Sequence, residues 1–267
     1  MDDFRSKLHP LLRRLFVVFA VGMAACQHSH ILPSDAATTL RSAATPSGML
    51  GELIYQGAVN RRDSTAPSLY RYERRVLAVT DGLRSSHLTL SPAGEPVVIQ
   101  RAHHTSSYEL LEFREIHAQT GLVGQVQVGV DGTATYHTTS DGRTRTHVEA
   151  PGDPLHVGPT LFGFVLENWD SLMAGSTHAF RFVVLQNRRS YRFELSKTDG
   201  PPGTTTFEMS PSHPLVALGV PSTELVFDED RNILRYTGLV PPLEQVGRRL
   251  RRLDATVTYE HTSEAYR

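Results

Sequence analysis

The chain has 267 residues, room for one large domain or two small ones, and carries 27 basic against 28 acidic side chains for a net charge of −1. That balance excludes the global signature of a nucleic-acid binder. A single cysteine, Cys26, excludes a disulfide framework and any Cys-rich zinc site.

The first segment reads as an address. Arg5, Lys7, Arg13 and Arg14 outnumber Asp2 and Asp3, and eleven uncharged residues, Leu15 to Ala25, follow. A helix needs about 20 apolar residues to cross a bilayer core of about 30 Å. This run is too short to span, but it has the length of a signal-peptide core behind a basic leader. Residues 1–25 are therefore expected to be removed, moving the net charge of the remainder from −1 to −3. The tetrad Met23-Ala24-Ala25-Cys26 resembles the lipobox of bacterial lipoprotein precursors, usually Leu, a small residue, Gly or Ala, then Cys, with Met23 standing in for the preferred Leu. That resemblance covers residues 5–27. It implies diacylglycerol on the Cys26 thiol, cleavage just before it, and a protein held on the lipid bilayer through acylated Cys26. Two or more acyl chains anchor stably where one does not. Gln27, in place of Asp, resembles an outer-membrane sorting signal and implies a bacterial envelope protein facing the periplasm. Residues 26–48, rich in Ala, Ser and Thr without an apolar period, read as a flexible tether.

From residue 49 to 267 a single β-rich domain is predicted. Leu53, Tyr55 and Val59 are placed on one strand face, and Leu69–Val79, His87–Leu90, Pro96–Arg101 and Tyr108–His117 follow as extended runs. Val126, Val128 and Val130 alternate as a strand wet on one side. Asp131-Gly132 and Asp141-Gly142 read as type I′ hairpin turns, whose two central residues both need φ > 0. Their spacing supplies no calcium ladder.

The stretch Gly158–Gly175 departs from the β pattern. Leu161, Phe162, Val165, Leu166, Trp169, Leu172 and Met173 fall in one stripe at helical spacing, with Pro159 in the first turn and Gly175 as a left-handed stop. One central helix over about 159–174 is predicted. Its stripe either covers the sheet as plain core or forms a wall of an apolar pocket, in which case Phe162, Val165, Leu166, Trp169 and Met173 are the candidate ligand contacts.

Beyond the helix, Phe180/Phe182/Val184 and Tyr191/Phe193/Leu195 alternate around a turn at Asn187-Arg188-Arg189. Thr204–Met209, Glu224–Phe227, Ile233–Tyr236 and Asp254–Tyr259 complete the set, with Asp228–Asn232 as a turn. The fold class expected is mainly β: an antiparallel barrel, half-barrel or strongly curved sheet around one helix. Trp169–Leu172, Phe180–Phe182, Tyr191–Leu195, Leu225–Asp228 and Leu234–Gly238 resemble uncharacterised bacterial envelope proteins of lipocalin-like or half-barrel type. The resemblance covers roughly the second half and implies fold and setting only.

No chemistry-bearing motif stands out. His103 and His104 are adjacent on an extended segment, so their rings point to opposite faces, and no HExxH or equivalent spacing fixes metal ligands. There is no G-x-S-x-G elbow and no phosphate-cradling glycine loop. No catalytic residue, metal or cofactor is therefore assigned. Arg248, Arg249, Arg251 and Arg252 form the densest positive cluster, expected at a solvated end of a strand whose Leu253, Ala255, Val257 and Tyr259 face inward, or alternatively in contact with anionic headgroups or an acidic ligand. The sequence points to a non-enzymatic lipid-anchored envelope protein. Its expected partner is a hydrophobic or amphipathic ligand inside the curved sheet, or alternatively an envelope protein complex to which it docks; no nucleic acid is expected.

Overall fold

The structure, a computed structural model, describes residues 51–64 and 66–262. The expected signal peptide and tether, with Cys26, lie outside the described residues. Fifteen strands form one sheet: β1 (Glu52–Arg61), β2 (Tyr70–Val79), β3 (Gly82–Leu90), β4 (Pro96–His104), β5 (Leu110–His117), β6 (Leu122–Val128), β7 (Ala134–Ser140), β8 (Arg143–Glu149), β9 (Leu155–His156), β10 (His178–Val184), β11 (Arg189–Thr198), β12 (Thr205–Pro211), β13 (Thr223–Phe227), β14 (Ile233–Val246) and β15 (Arg249–His261). Their order across the sheet is 8-7-6-5-4-3-2-1-15-14-13-12-11-10-9. Every neighbouring pair is antiparallel except β9 with β10, which is parallel. The chain is thus two meanders joined where the last strand pairs with the first. The sheet is strongly curved but its hydrogen bonding does not close.

Side chains close the seam instead. Glu149, at the end of β8, accepts hydrogen bonds from the Ser190 backbone N–H (2.9 Å) and hydroxyl (2.7 Å) on β11, and from the Tyr136 hydroxyl at 2.8 Å. Arg181 on β10 donates to the carbonyls of Asp153 and Ala150. Below this clasp Val183 and Leu185 pack onto Phe113, Val126 and Tyr136. Gly124 on β6 makes room: a Cβ there would stand 3.0 Å from Leu185.

The helical segment lies inside the curl. It is broken into α1 (Gly158–Glu167) and α2 (Trp169–Met173), where one continuous helix was expected. The break falls at Asn168, whose side-chain amide donates to the Phe164 carbonyl and competes with the backbone ladder. Seven consecutive residues, Pro159 to Val165, are buried, so α1 is covered on every side. The predicted stop holds: Gly175 has φ of 90°, and the bonds Gly175 N–H to Leu172 O and Ser176 N–H to Ser171 O complete a Schellman motif. A third helix, α3 (Pro214–Ala217), was not anticipated.

Several local expectations are corrected. A bulge between Leu53 and Tyr55 turns Ile54 and Tyr55 both inward and leaves Leu53 only half-buried, so Leu53 does not share the face of Tyr55 and Val59. Val130 lies past the end of β6 and is fully exposed. Asp141 and Gly142 both have positive φ, as a type I′ turn needs, whereas at the other hairpin Gly132 does and Asp131 does not. There Asp131 accepts from the Thr133 N–H in an Asx turn. Tyr108 belongs to a turn between β4 and β5. Leu253, Ala255, Val257 and Tyr259 do face inward, and the arginine cluster sits at the tip of the long β14–β15 hairpin.

Candidate functional site

Registers across β1–β5 place Tyr55 opposite Arg74, Arg74 opposite His87, His87 opposite Gln100, and Gln100 opposite Glu115. Directly opposed residues share a face. One polar side chain from each of five successive strands therefore forms a continuous rung on the inner face. All five are buried. Most inner-face rungs of a half-buried sheet are apolar, so this row needs a physical account.

At one end of the rung, Gln100 donates to the Glu115 carboxylate at 2.6 Å, and burial pushes the Glu115 carboxyl above its ordinary range. In the middle, His87 stands edge-on to Tyr72, with ring centroids 4.7 Å apart. Its Nε2 is buried without a partner, and burial, then the nearby Arg74 charge, hold the ring neutral. Gly158 opens α1 directly over this pair; a Cβ on it would lie 3.2 Å from Gln100 Oε1 and 3.6 Å from His87 Nδ1.

At the other end is Arg74, 6% exposed. Its guanidinium reaches the Tyr55 hydroxyl and Ser85 Oγ, each at 3.4 Å, and lies 5.7 Å over the Tyr55 ring. Ser85 donates to His104 Nε2 at 2.9 Å, because His104 Nδ1 is committed to donating to the Thr105 carbonyl, also at 2.9 Å. Burial lowers the His104 pKa to about 4. Tyr55, Tyr72 and Tyr259 enclose Arg74 in an aromatic wall that continues into Phe162 of α1. Burial raises all three phenols, Tyr55 to about 12.

Tyr108 covers the network at the rim. It stacks on His104 with centroids 5.1 Å apart, from a turn in which its own φ is +62°. A bulky side chain rarely adopts that conformation. Its ring lies flush against α1 at Gly163, where a Cβ would come within 1.9 Å of Tyr108 Cε1.

Most of the stripe residues named from the sequence lie in the core. Phe162, Val165 and Trp169 are buried in the main core cluster and Leu166 packs partly against it, while Met173 is exposed. Trp169 meets Phe207 and Phe227 edge-on. Of the stripe, Phe162 meets the aromatic wall of the Arg74 site, against Tyr55 and Tyr259. His103 and His104 do face opposite ways: His103 points outward to Asp81 at 3.2 Å, beside a shallow groove of about 590 Å³ that Glu112, Gln127 and Thr135 also line. Among the described residues no group of three or more His, Cys, Asp or Glu side chains is placed to hold a metal ion. Sequence reasoning missed Arg74, Ser85, His87, Gln100 and Glu115. Their only signal was a polar residue at an inward position of each strand, which means little until the register aligns them.

Compared with family models, curated proteins and solved structures, the chain matches none.

Proposed function

We propose that this chain is a non-enzymatic, membrane-anchored envelope lipoprotein that binds a hydrophobic or amphipathic ligand inside its curved sheet. The carrying observation is the amphipathic interior: a buried polar rung five strands wide beside an aromatic wall. Self-packing alone favours apolar side chains at such positions, because each buried polar group must find a partner.

The Ser85–His104 pair supports a binding role over catalysis. A base that titrates near 4 is far from the operating pH of a general base, and a carbonyl, not a carboxylate, orients it. Because α1 fills the axis of the curl, a guest of acyl-chain size requires α1 to shift. Ligand-free and ligand-bound forms should then differ most in amide exchange over Gly158–Glu167.

Native mass spectrometry of detergent-free protein from the native host tests the reading. A co-purifying small molecule, present near one per chain, is the expected result; a bare chain with fully protected α1 amides counts against it. The anchor has its own test. Cys26→Ser should move the protein from the detergent phase to the aqueous phase, and unchanged partitioning would remove the envelope setting.

A second reading, docking to an envelope complex, is favoured by one observation. The β14–β15 tip exposes Val246 and Leu250 among four arginines, and Arg252 bonds the carbonyl of Gly219 beside the exposed Leu218. A stable partner crosslinked at this tip, with no bound small molecule, would favour it.

A further inference from the structure

Arg74 poses the sharpest chemical question in the molecule. A guanidinium keeps its charge at any accessible pH, so burial cannot be relieved by losing the proton. Buried charges are ordinarily neutralised by an opposite charge. Among the described residues no carboxylate pairs with Arg74; its contacts are two neutral hydroxyls at 3.4 Å, the long end of hydrogen-bond range. The neighbouring side chains are polar and neutral: Tyr55, Tyr72, Ser85 and His87, with His104 behind Ser85. The one carboxylate of the rung, Glu115, stands three strands away, roughly 14 Å at the usual strand spacing, and is engaged by Gln100.

Two independent features accompany the unneutralised charge. Among the described residues His87 Nε2, in a side chain 4% exposed, has no hydrogen-bond partner. Tyr108 is held in a strained conformation over the rim side of the network, against a glycine that alone leaves room for its ring. Strain of this kind persists where the surroundings enforce it and clusters at ligand clamps.

We infer that Arg74 receives the anionic head, carboxylate or phosphate, of the ligand, entering beneath Tyr108. The fork of a guanidinium matches either oxyanion with two parallel hydrogen bonds. Ser85 and Tyr55 line the same spot, and the aromatic wall from Tyr72 and Tyr259 to Phe162 takes the apolar part. This deepens the binding reading above and rests on it. It also locates the mouth: Tyr108 and the Gly82 end of β3 lie at the same rim as Gly51, the residue before β1.

Calorimetric titration of the full-length chain carrying Cys26→Ser, freed of bound lipid, tests the inference. Dodecyl phosphate, dodecanoate, dodecanol and inorganic phosphate serve as probes. The two charged amphiphiles should bind at least tenfold tighter than dodecanol. Arg74→Met should abolish that preference and, without ligand, raise Tm, since an unneutralised buried charge has been replaced by an apolar chain. Arg74→Lys should retain part of the preference. Inorganic phosphate binding as tightly as dodecyl phosphate would support the anion site while identifying a free anion as its occupant.

Equal binding of dodecanol and dodecyl phosphate, or an unchanged preference in Arg74→Met, would overturn the inference and leave the binding reading intact. A lower Tm or failed folding of Arg74→Met would assign the guanidinium to the fold itself and overturn it as well. If none of the amphiphiles binds, the binding reading falls first.

Discussion

Lowering the pH from 7 to 5 is expected to remove about 4 kcal/mol of stability and about 10 °C of Tm, before most carboxylates titrate. The cause is a pair of buried histidines. Burial lowers His104 to about 4, and burial together with the nearby His104 lowers His156 to about 3. Both groups are neutral in the folded state throughout this range. In the unfolded chain each titrates near 6.5 and so binds a proton as the pH falls. Stability is therefore fully present above about 6.5 and is lost as the pH drops toward the folded values. At pH 5 the loss is about 2 kcal/mol for each ring, at about 1.4 kcal/mol per pH unit. His87 and His117, also lowered by burial, act in the same direction. Glu115 acts in the opposite one: its raised carboxyl pKa favours the folded state at low pH, and that contribution fades as pH rises past about 4.5.

A thermal series at pH 7, 6 and 5 checks this. His156→Phe should recover about half of the loss, because the ring sits between Phe164 and Phe180 with Nε2 unpartnered. A Tm that is flat to pH 4.5 would show that these rings are not held neutral.

The second large effect concerns the contact between Tyr108 and α1. Gly163→Val is expected to destabilise the protein by about 3 kcal/mol, the upper range for overpacking a filled core. A Cβ at 1.9 Å from the Tyr108 ring cannot be accommodated by a small adjustment, since three ring atoms lie within 2.3 Å. The ring must leave, taking its stacking on His104 with it. Gly163→Ala should cost less, because the same clash is partly offset by about 1 kcal/mol of helix propensity. The mechanism predicts coupling. In a Tyr108→Gly background the clash is gone and the left-handed backbone is relaxed, so Gly163→Ala should become neutral or stabilising. Urea denaturation of the four proteins gives the coupling energy, expected above about 1 kcal/mol. Additive effects would mean that Tyr108 does not press on α1.

The elements legible in the sequence were those with a strong local signature. Alternation located most strands, the Leu161–Met173 stripe located the helical segment, and Gly175 and Asp141-Gly142 carried their own backbone requirements. What escaped was whatever depends on register. A bulge at Ile54 shifts the face of β1 by one residue, and no local pattern announces it. Asn168 interrupts the helix through one side-chain bond to the preceding turn, which composition cannot weigh. The Arg74 site was invisible for the same reason. Tyr55, Arg74, His87, Gln100 and Glu115 look like isolated interruptions in five separate runs, and only pairing sets them in a row. His103-His104 is the contrasting case: adjacency on a strand fixes opposite faces without any tertiary knowledge. The helical stripe was legible, but not that α1 would be buried on every side or that Met173 would be exposed beyond the break at Asn168.

The pairing of β1 with β15 bears on how the molecule is made. Residues about 200 positions apart, such as Val59 and Val257, must meet before the sheet is continuous. Until the final 13-residue strand has left the ribosome, the first strand lacks one of its two neighbours. A chain made from its N-terminus thus cannot lock its central seam before synthesis is nearly complete. Loss of that last strand would leave two half-sheets with bare edges facing each other, a form open to pairing with strangers.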